Sequence, residues 1–252
     1  MRLPFLLVIA LLFGGAALPS HLGTRVSAQN NVAKDLPGAW ESSFVDEDGR
    51  RAKLTMIISE SHMSMAAYYP DDGEFIATLG GSWRADWQNF SVKYEFDSAA
   101  PDQVGGTVDM PYDLNENILV FNGNRFWTRV DQPEEGPLAG AWEIIGRKAD
   151  GKMQDLTARR DGPRKTMKIL SGKRFQWIAF NTETGEFLGT GGGTYTAKDN
   201  GLYSEKIEFF SRDKSRVGKS LGFDWRLANG DWVHRGSSSK GKAIHEVWGK
   251  RK

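Results

Sequence analysis

Hydrophobic and polar positions alternate with a period of two over much of the chain. Tyr203, Glu205, Ile207 and Phe209 alternate with Ser204, Lys206, Glu208 and Phe210, and Met63, Met65, Ala67 and Tyr69 alternate with His62, Ser64 and Ala66. That period belongs to strands, whose successive side chains point to opposite faces. Turn signals break the runs at short intervals, at Pro70-Asp71-Asp72-Gly73, Glu183-Thr184-Gly185, Asp199-Asn200-Gly201, Ala228-Asn229-Gly230-Asp231 and Ser239-Lys240-Gly241. Consecutive hairpins are the simplest connection. Short strands joined this way must close or stack to protect their edges, which predicts an all-β chain of antiparallel up-and-down barrels or sandwiches. No sustained 3.6-residue apolar period occurs beyond the first residues.

The pattern occurs twice. Leu36-Pro37-Gly38-Ala39-Trp40-Glu41 returns as Leu138-Ala139-Gly140-Ala141-Trp142-Glu143 at an offset of 102. Gly73-Glu74-Phe75 and Gly80-Gly81-Ser82-Trp83 return as Gly185-Glu186-Phe187 and Gly192-Gly193-Thr194-Tyr195 at 112. Lys93, Glu95, Phe96, Ser98, Val104, Gly105 and Leu114 then match Lys206, Glu208, Phe209, Ser211, Val217, Gly218 and Leu227 at 113. So steady an offset marks a duplicated unit. The stretch Asp131-Gln132-Pro133-Glu134-Glu135-Gly136-Pro137 resists both helix and strand. The expected organisation is a first barrel over 36–131, a linker over 132–137 and a second barrel over 138–252.

The start of the chain has a different logic. Met1 and Arg2 precede an apolar run from Leu3 to Leu18, and Val26-Ser27-Ala28 offers the small residues of a cleavage site. Residues 1–28 are therefore expected to be a signal peptide; Pro19, Ser20 and His21 stop the run short of the roughly 20 apolar residues a spanning helix needs. The mature chain has no second stretch of that length, so no transmembrane segment is expected. Its expected location is the periplasm or the outside of the cell. The chain has no Cys, which removes disulfides, thiol catalysis and a lipid-modified Cys anchor.

The net charge of +1 conceals a segregation. Residues 29–137 carry a net charge of −11 and residues 138–252 a net charge of +10. Such halves either attract one another or leave the second free to meet an acidic partner. The acidity of the first half excludes nucleic acid as a partner for its Trp83, Trp87 and Phe90.

At Gly38-Ala39-Trp40 and Gly140-Ala141-Trp142 each copy opens with G-x-W, which resembles the first-strand signature of lipocalins and the wider calycin group. The stretch from Phe175-Gln176-Trp177 to Gly192-Gly193-Thr194-Tyr195 is also similar to lipocalin-like domains of secreted bacterial proteins. The resemblance implies two small lipocalin-like barrels, in each of which the Trp closes one end beneath a basic residue of the last strand. Trp127-Thr128-Arg129 and Trp248-Gly249-Lys250-Arg251 supply such a cation, worth roughly 0.5 to 2 kcal/mol over an indole.

Strand parity singles out the second copy as the place to look for a site. Phe175, Trp177 and Ala179 share a face, as do Tyr203, Ile207 and Phe209, then Leu221, Phe223 and Trp225, and finally Trp232 and Trp248. These are expected to be interior. Glu205, His234 and Glu246 fall on the same side, where an unpaired charge is costly. If Trp232 lies opposite Trp248, then His234 lies opposite Glu246; the alternative register, His234 against His245, sends one Trp outward. In the first copy Val92, Phe121 and Arg125 stand at the positions of Glu205, His234 and Glu246.

An apolar interior with a few convergent polar groups suits a small apolar or amphipathic ligand. The expected ligand-binding residues are Phe175, Trp177, Tyr203, Glu205, Phe223, Trp225, Trp232, His234 and Glu246. Neither a catalytic constellation nor a metal-ligand spacing is legible, and no cofactor is implied. Gly189-Thr190-Gly191-Gly192-Gly193-Thr194 lacks the Lys-Ser/Thr of a phosphate loop and reads as a place where a barrel strand bends. The expected function is an extracytoplasmic binding protein. The alternative is a secreted or envelope protein-interaction module, a scaffold or inhibitor, with solidly packed barrels.

Overall fold

A computed structural model describes residues 32–251; the expected signal peptide lies outside the described residues. The first unit is a closed barrel of eight antiparallel strands: β1 (Gly38–Val45), β2 (Arg51–Ile58), β3 (His62–Tyr69), β4 (Glu74–Ala85), β5 (Asn89–Asp97), β6 (Thr107–Asn115), β7 (Ile118–Phe121) and β8 (Arg125–Asp131). Each strand pairs with the next, and β8 returns to β1 through Trp40 opposite Arg129. The second unit contains β9 (Gly140–Ala149), β10 (Lys152–Asp155), β11 (Arg164–Leu170), β12 (Arg174–Asn181), β13 (Phe187–Ala197), β14 (Leu202–Phe210), β15 (Ser220–Ala228), β16 (Asp231–Ser237) and β17 (Ala243–Lys250). Pairing of β17 with β9 closes it. The two tandem antiparallel barrels expected from the alternation are present.

The repeat offsets have a structural cause. Gly38 pairs with Ile58 and Gly140 with Leu170, so the first strand is displaced by 102 and its partner by 112. The extra residues form β10, which pairs with the far half of β9, and a 3-10 turn at Thr157–Arg160. Between the barrels, Pro133–Glu135 forms another 3-10 turn, with Glu135 Oε1 accepting from Gln132 N at 3.1 Å.

Each barrel closes one end in the same way. Trp40 Nε1 donates to Leu36 O and Trp142 Nε1 to Leu138 O, both at 2.9 Å. Arg129 lies 4.1 Å from the Trp40 ring centroid and Lys250 5.4 Å from that of Trp142, the cations expected from the last strands.

The glycine pairs bend the barrels. Register shifts fall between Gly80 and Gly81 and between Gly192 and Gly193. A Cβ at Gly81 would sit 2.0 Å from Lys93 O, and one at Gly193 2.0 Å from Lys206 O, so only glycine permits the approach. The bulge also corrects one expectation. Ile207 pairs with Gly193 and Phe209 with Gly192, leaving Glu208 as the extra residue, so parity flips. Phe209, expected inside, faces the first barrel, and Phe210 turns to the interior instead.

The outward faces of β2 to β5 and of β11 to β14 pack on each other. Tyr68 stacks on Phe209 with ring centroids 4.7 Å apart, Phe96 meets Phe180 at 4.9 Å and Phe75 meets Phe187 at 5.7 Å. Applying the repeat offsets turns the first pair into the second and the third into itself. The interface is therefore a pseudo-two-fold, isologous one of the kind found in symmetric dimers. Met167, Ile169, Ile178 and Ile57 fill it.

Its polar contacts follow the charge segregation. Arg174 of the second barrel reaches Glu41 of the first and also pairs with Glu208 at 2.6 Å, whose other contact is the Tyr68 hydroxyl at 2.7 Å. At the related position Arg251 donates twice to Glu95, at 2.5 and 3.0 Å, with His62 3.6 Å away. Lys214 meets Asp72 at 2.6 Å nearer the surface. Buried Asp131 ties the units together, accepting from Ala39 N, Ser171 Oγ, Gly172 N and Lys173 N.

Candidate functional site

The two interiors differ. In the first, Trp40, Met56, Met65, Phe90, Val92, Phe121 and Trp127 belong to one continuous apolar core. In the second, a cavity of about 520 Å³ opens between β11, β12, β14, β15, β16 and β17. Phe175, Trp177, Glu205, Phe223, His234 and Glu246 line it. The other three expected residues lie elsewhere. Tyr203 and Trp232 are fully buried beside the cavity, where their rings meet at 5.3 Å. Trp225 is half-buried and donates to Lys198 O at 3.1 Å outside it.

The last hairpin has the register inferred from the two tryptophans: Trp232 opposite Trp248 and His234 opposite Glu246. His234 Nδ1 stands 3.6 Å from Glu246 Oε2, which also accepts from Trp248 Nε1 at 3.2 Å. His234 is 1% exposed, yet neither ring nitrogen has a hydrogen-bond partner among the described residues. An orphaned buried polar group of this kind asks for water or a ligand.

Lys168 on β11 completes the polar floor and had no counterpart in the sequence reading. Its Nζ lies 2.7 Å from Glu205 Oε1, which also accepts from the Tyr203 hydroxyl at 2.8 Å. The ammonium sits among the rings of Trp232, Tyr203, Trp248 and Phe175, 5.0 to 6.0 Å from their centroids. Burial, and then the Lys168 charge, hold His234 below its ordinary value, so its ring is neutral near neutral pH. For Glu246 burial acts upward, but the polar edge of the His234 ring, facing it at 3.6 Å just beyond hydrogen-bond distance, and the Lys168 charge outweigh burial and keep the carboxyl below its ordinary value, hence ionised. Burial and the neighbouring Glu205 raise Tyr203 well above its ordinary value, leaving it a hydroxyl donor.

Three of the four corresponding residues of the first barrel are apolar, and the fourth, at the Glu246 position, is Arg125. The pairing Trp40 with Met56 matches Trp142 with Lys168, Val92 with Val108 matches Glu205 with Leu221, and Phe121 with Arg125 matches His234 with Glu246. One copy thus carries Met, Val and Phe where the other carries Lys, Glu and His.

The cavity mouth is formed by the 211–219 loop and the turn at 238–242. Arg212 and Lys240 line it as exposed cations with no acidic partner among the described residues, whereas Arg216 pairs with Asp213 at 3.1 Å and lies over Phe210. A larger cleft of about 1000 Å³ lies beside Arg129, Lys250 and Arg251. Its lining mixes cations with Asp35, Glu60, Glu116 and Glu134 and includes no buried side chain with an unpartnered polar atom. Among the described residues no group of three His, Asp or Glu side chains is placed to hold a metal ion, and no helix is long and apolar enough to cross a membrane.

Comparison with known proteins adds little chemistry. No curated protein matches the chain. Among solved structures a redesigned β-barrel is 14% identical and covers 48% of this chain and 97% of its own, with a TM-score of 0.31. Residues 137–252, the barrel that holds the cavity, match the model of a domain of unknown function (DUF4488).

Proposed function

We propose that the protein is an extracytoplasmic binding protein that holds a small, partly apolar ligand in its second barrel. The observation that carries this reading is the contrast between two copies of one unit: the first interior holds one continuous apolar core, and the second keeps about 520 Å³ of space lined by aromatic rings around a few polar groups. The G-x-W tryptophans, each under a cation of the last strand, support a lipocalin-like ancestry in which such a cavity is at home. An interaction module with solidly packed barrels fits the first copy, and the cavity weighs against it in the second. Export is part of the proposal and rests on the leader-like first 28 residues; fractionation of the host cell checks it.

Binding is tested directly by titrating the purified chain with a neutral apolar dye while following emission from Trp177 and Trp248, which line the cavity. Saturable uptake at one site per chain is expected, and it should weaken in Ile244→Trp, which fills the cavity from its wall. Native mass spectrometry of protein from its own host should reveal a retained small molecule. Absence of uptake, or uptake indifferent to Ile244→Trp, would overturn the reading.

A further inference from the structure

We propose that the ligand is an amphipathic anion bound acid-outward, with its acidic group at the rim between Arg212 and Lys240, its apolar body along the aromatic walls, and a hydroxyl group leading inward to Glu246 and His234. This rests on the binding reading above and fixes the chemistry and direction of what is bound.

The polar groups divide by depth. At the floor, Lys168 would be the obvious partner for a buried acid, but Glu205 already holds it at 2.7 Å and both side chains are 7% exposed. A second anion there would also meet Glu246, an ionised carboxylate on β17, one strand away from β11 across β9. Like charges in a low-dielectric interior repel strongly, so the floor rejects an acid. What it lacks is a hydrogen-bond donor: Glu246 is 25% exposed at its side chain and its Oε1 has no hydrogen bond among the described residues. The neutral His234 ring beside it has two unpartnered nitrogens, either of which a hydroxyl can satisfy as donor or acceptor.

The rim has the opposite character. Arg212 and Lys240 are exposed, unpaired cations flanking the entrance, and the ion pair Arg216–Asp213 adds no net charge between them. An acidic group stays partly hydrated there while meeting two cations. Between rim and floor the walls are Trp177, Ile207, Phe210, Leu221 and Phe223, which suit an apolar chain or ring.

The test is calorimetric titration of the full chain with three probes of equal length: a medium-chain fatty acid with a terminal hydroxyl, the plain fatty acid, and the diol. The hydroxy acid is expected to bind tightest. Joint Arg212→Gln and Lys240→Gln substitution, at exposed positions, should weaken both acids about fivefold and leave the diol unchanged. Glu246→Gln should weaken the hydroxy acid and the diol about tenfold without weakening the plain acid. Plain acid binding as tightly as hydroxy acid, or acid binding that survives the rim change, overturns the proposal. If the three probes fail while the neutral dye still binds, this orientation is wrong and the binding reading stands; if the dye also fails, the binding reading itself falls.

Discussion

Lys168 and Glu205 form a buried ion pair in a position where the first barrel is stable with Met56 and Val92. Removing one partner strands the other charge, so Lys168→Met should lower the unfolding free energy by about 3 to 5 kcal/mol. The double variant Lys168→Met, Glu205→Val, which copies the first barrel, should recover most of that loss in urea titrations. His234→Phe copies Phe121 and should fold, with an unchanged circular dichroism spectrum; loss of folding would show that the ring is structural. The sequence made His234, Glu246 and Glu205 legible because each sits two residues from an interior aromatic on an alternating strand. Lys168 escaped because its neighbours Met167 and Ile169 are apolar too, being buried against the first barrel. With both faces of a strand covered, alternation vanishes from the sequence. Trp225 and Tyr203 share the inward parity of the site without lining it, since parity gives a side and not a depth.

At the level of elements, the glycine bulge at Gly192 and Gly193 decides which aromatics line the cavity and which meet the other barrel. The duplicated Gly-Gly and the idea that it bends a strand were legible, but the consequent parity change after Ile207 was not, because an extra residue leaves no mark on composition. Gly193→Ala would place a Cβ 2.0 Å from Lys206 O. It should cost about 2 kcal/mol or more, by analogy with overpacked cores, and should lower dye affinity by moving Phe210, which lines the cavity. A thermal melt and a dye titration on the same sample check both.

Over the whole molecule the barrels are joined by an aromatic seam whose margins carry the charge segregation read from the sequence. Glu95 shows how that seam responds to acid. Burial acts upward on its carboxyl, but His62 and the Arg251 guanidinium outweigh burial and take it down to about 2. A carboxyl depressed from 4.5 to about 2 on folding contributes roughly 3 kcal/mol above its unfolded value. The unfolded chain takes up the proton first, so the contribution fades as the pH falls from 4.5 toward 2. Glu95→Gln should therefore be less stable than wild type at neutral pH, with the gap closing over that interval in urea midpoints measured at successive pH values.

The pseudo-two-fold seam has a further meaning for how such a molecule can change. Were the barrels separate, identical subunits facing each other, every substitution would be made twice, and a buried lysine, histidine and two glutamates would unsettle both halves at once. Joined in one chain, the halves can be altered independently while their shared seam stays complementary. The first barrel, with its continuous apolar core, then acts as a fixed wall against which β11 and β12 are braced, and the second is released to trade packing for a cavity. Asymmetry of chemistry here depends on symmetry of contact.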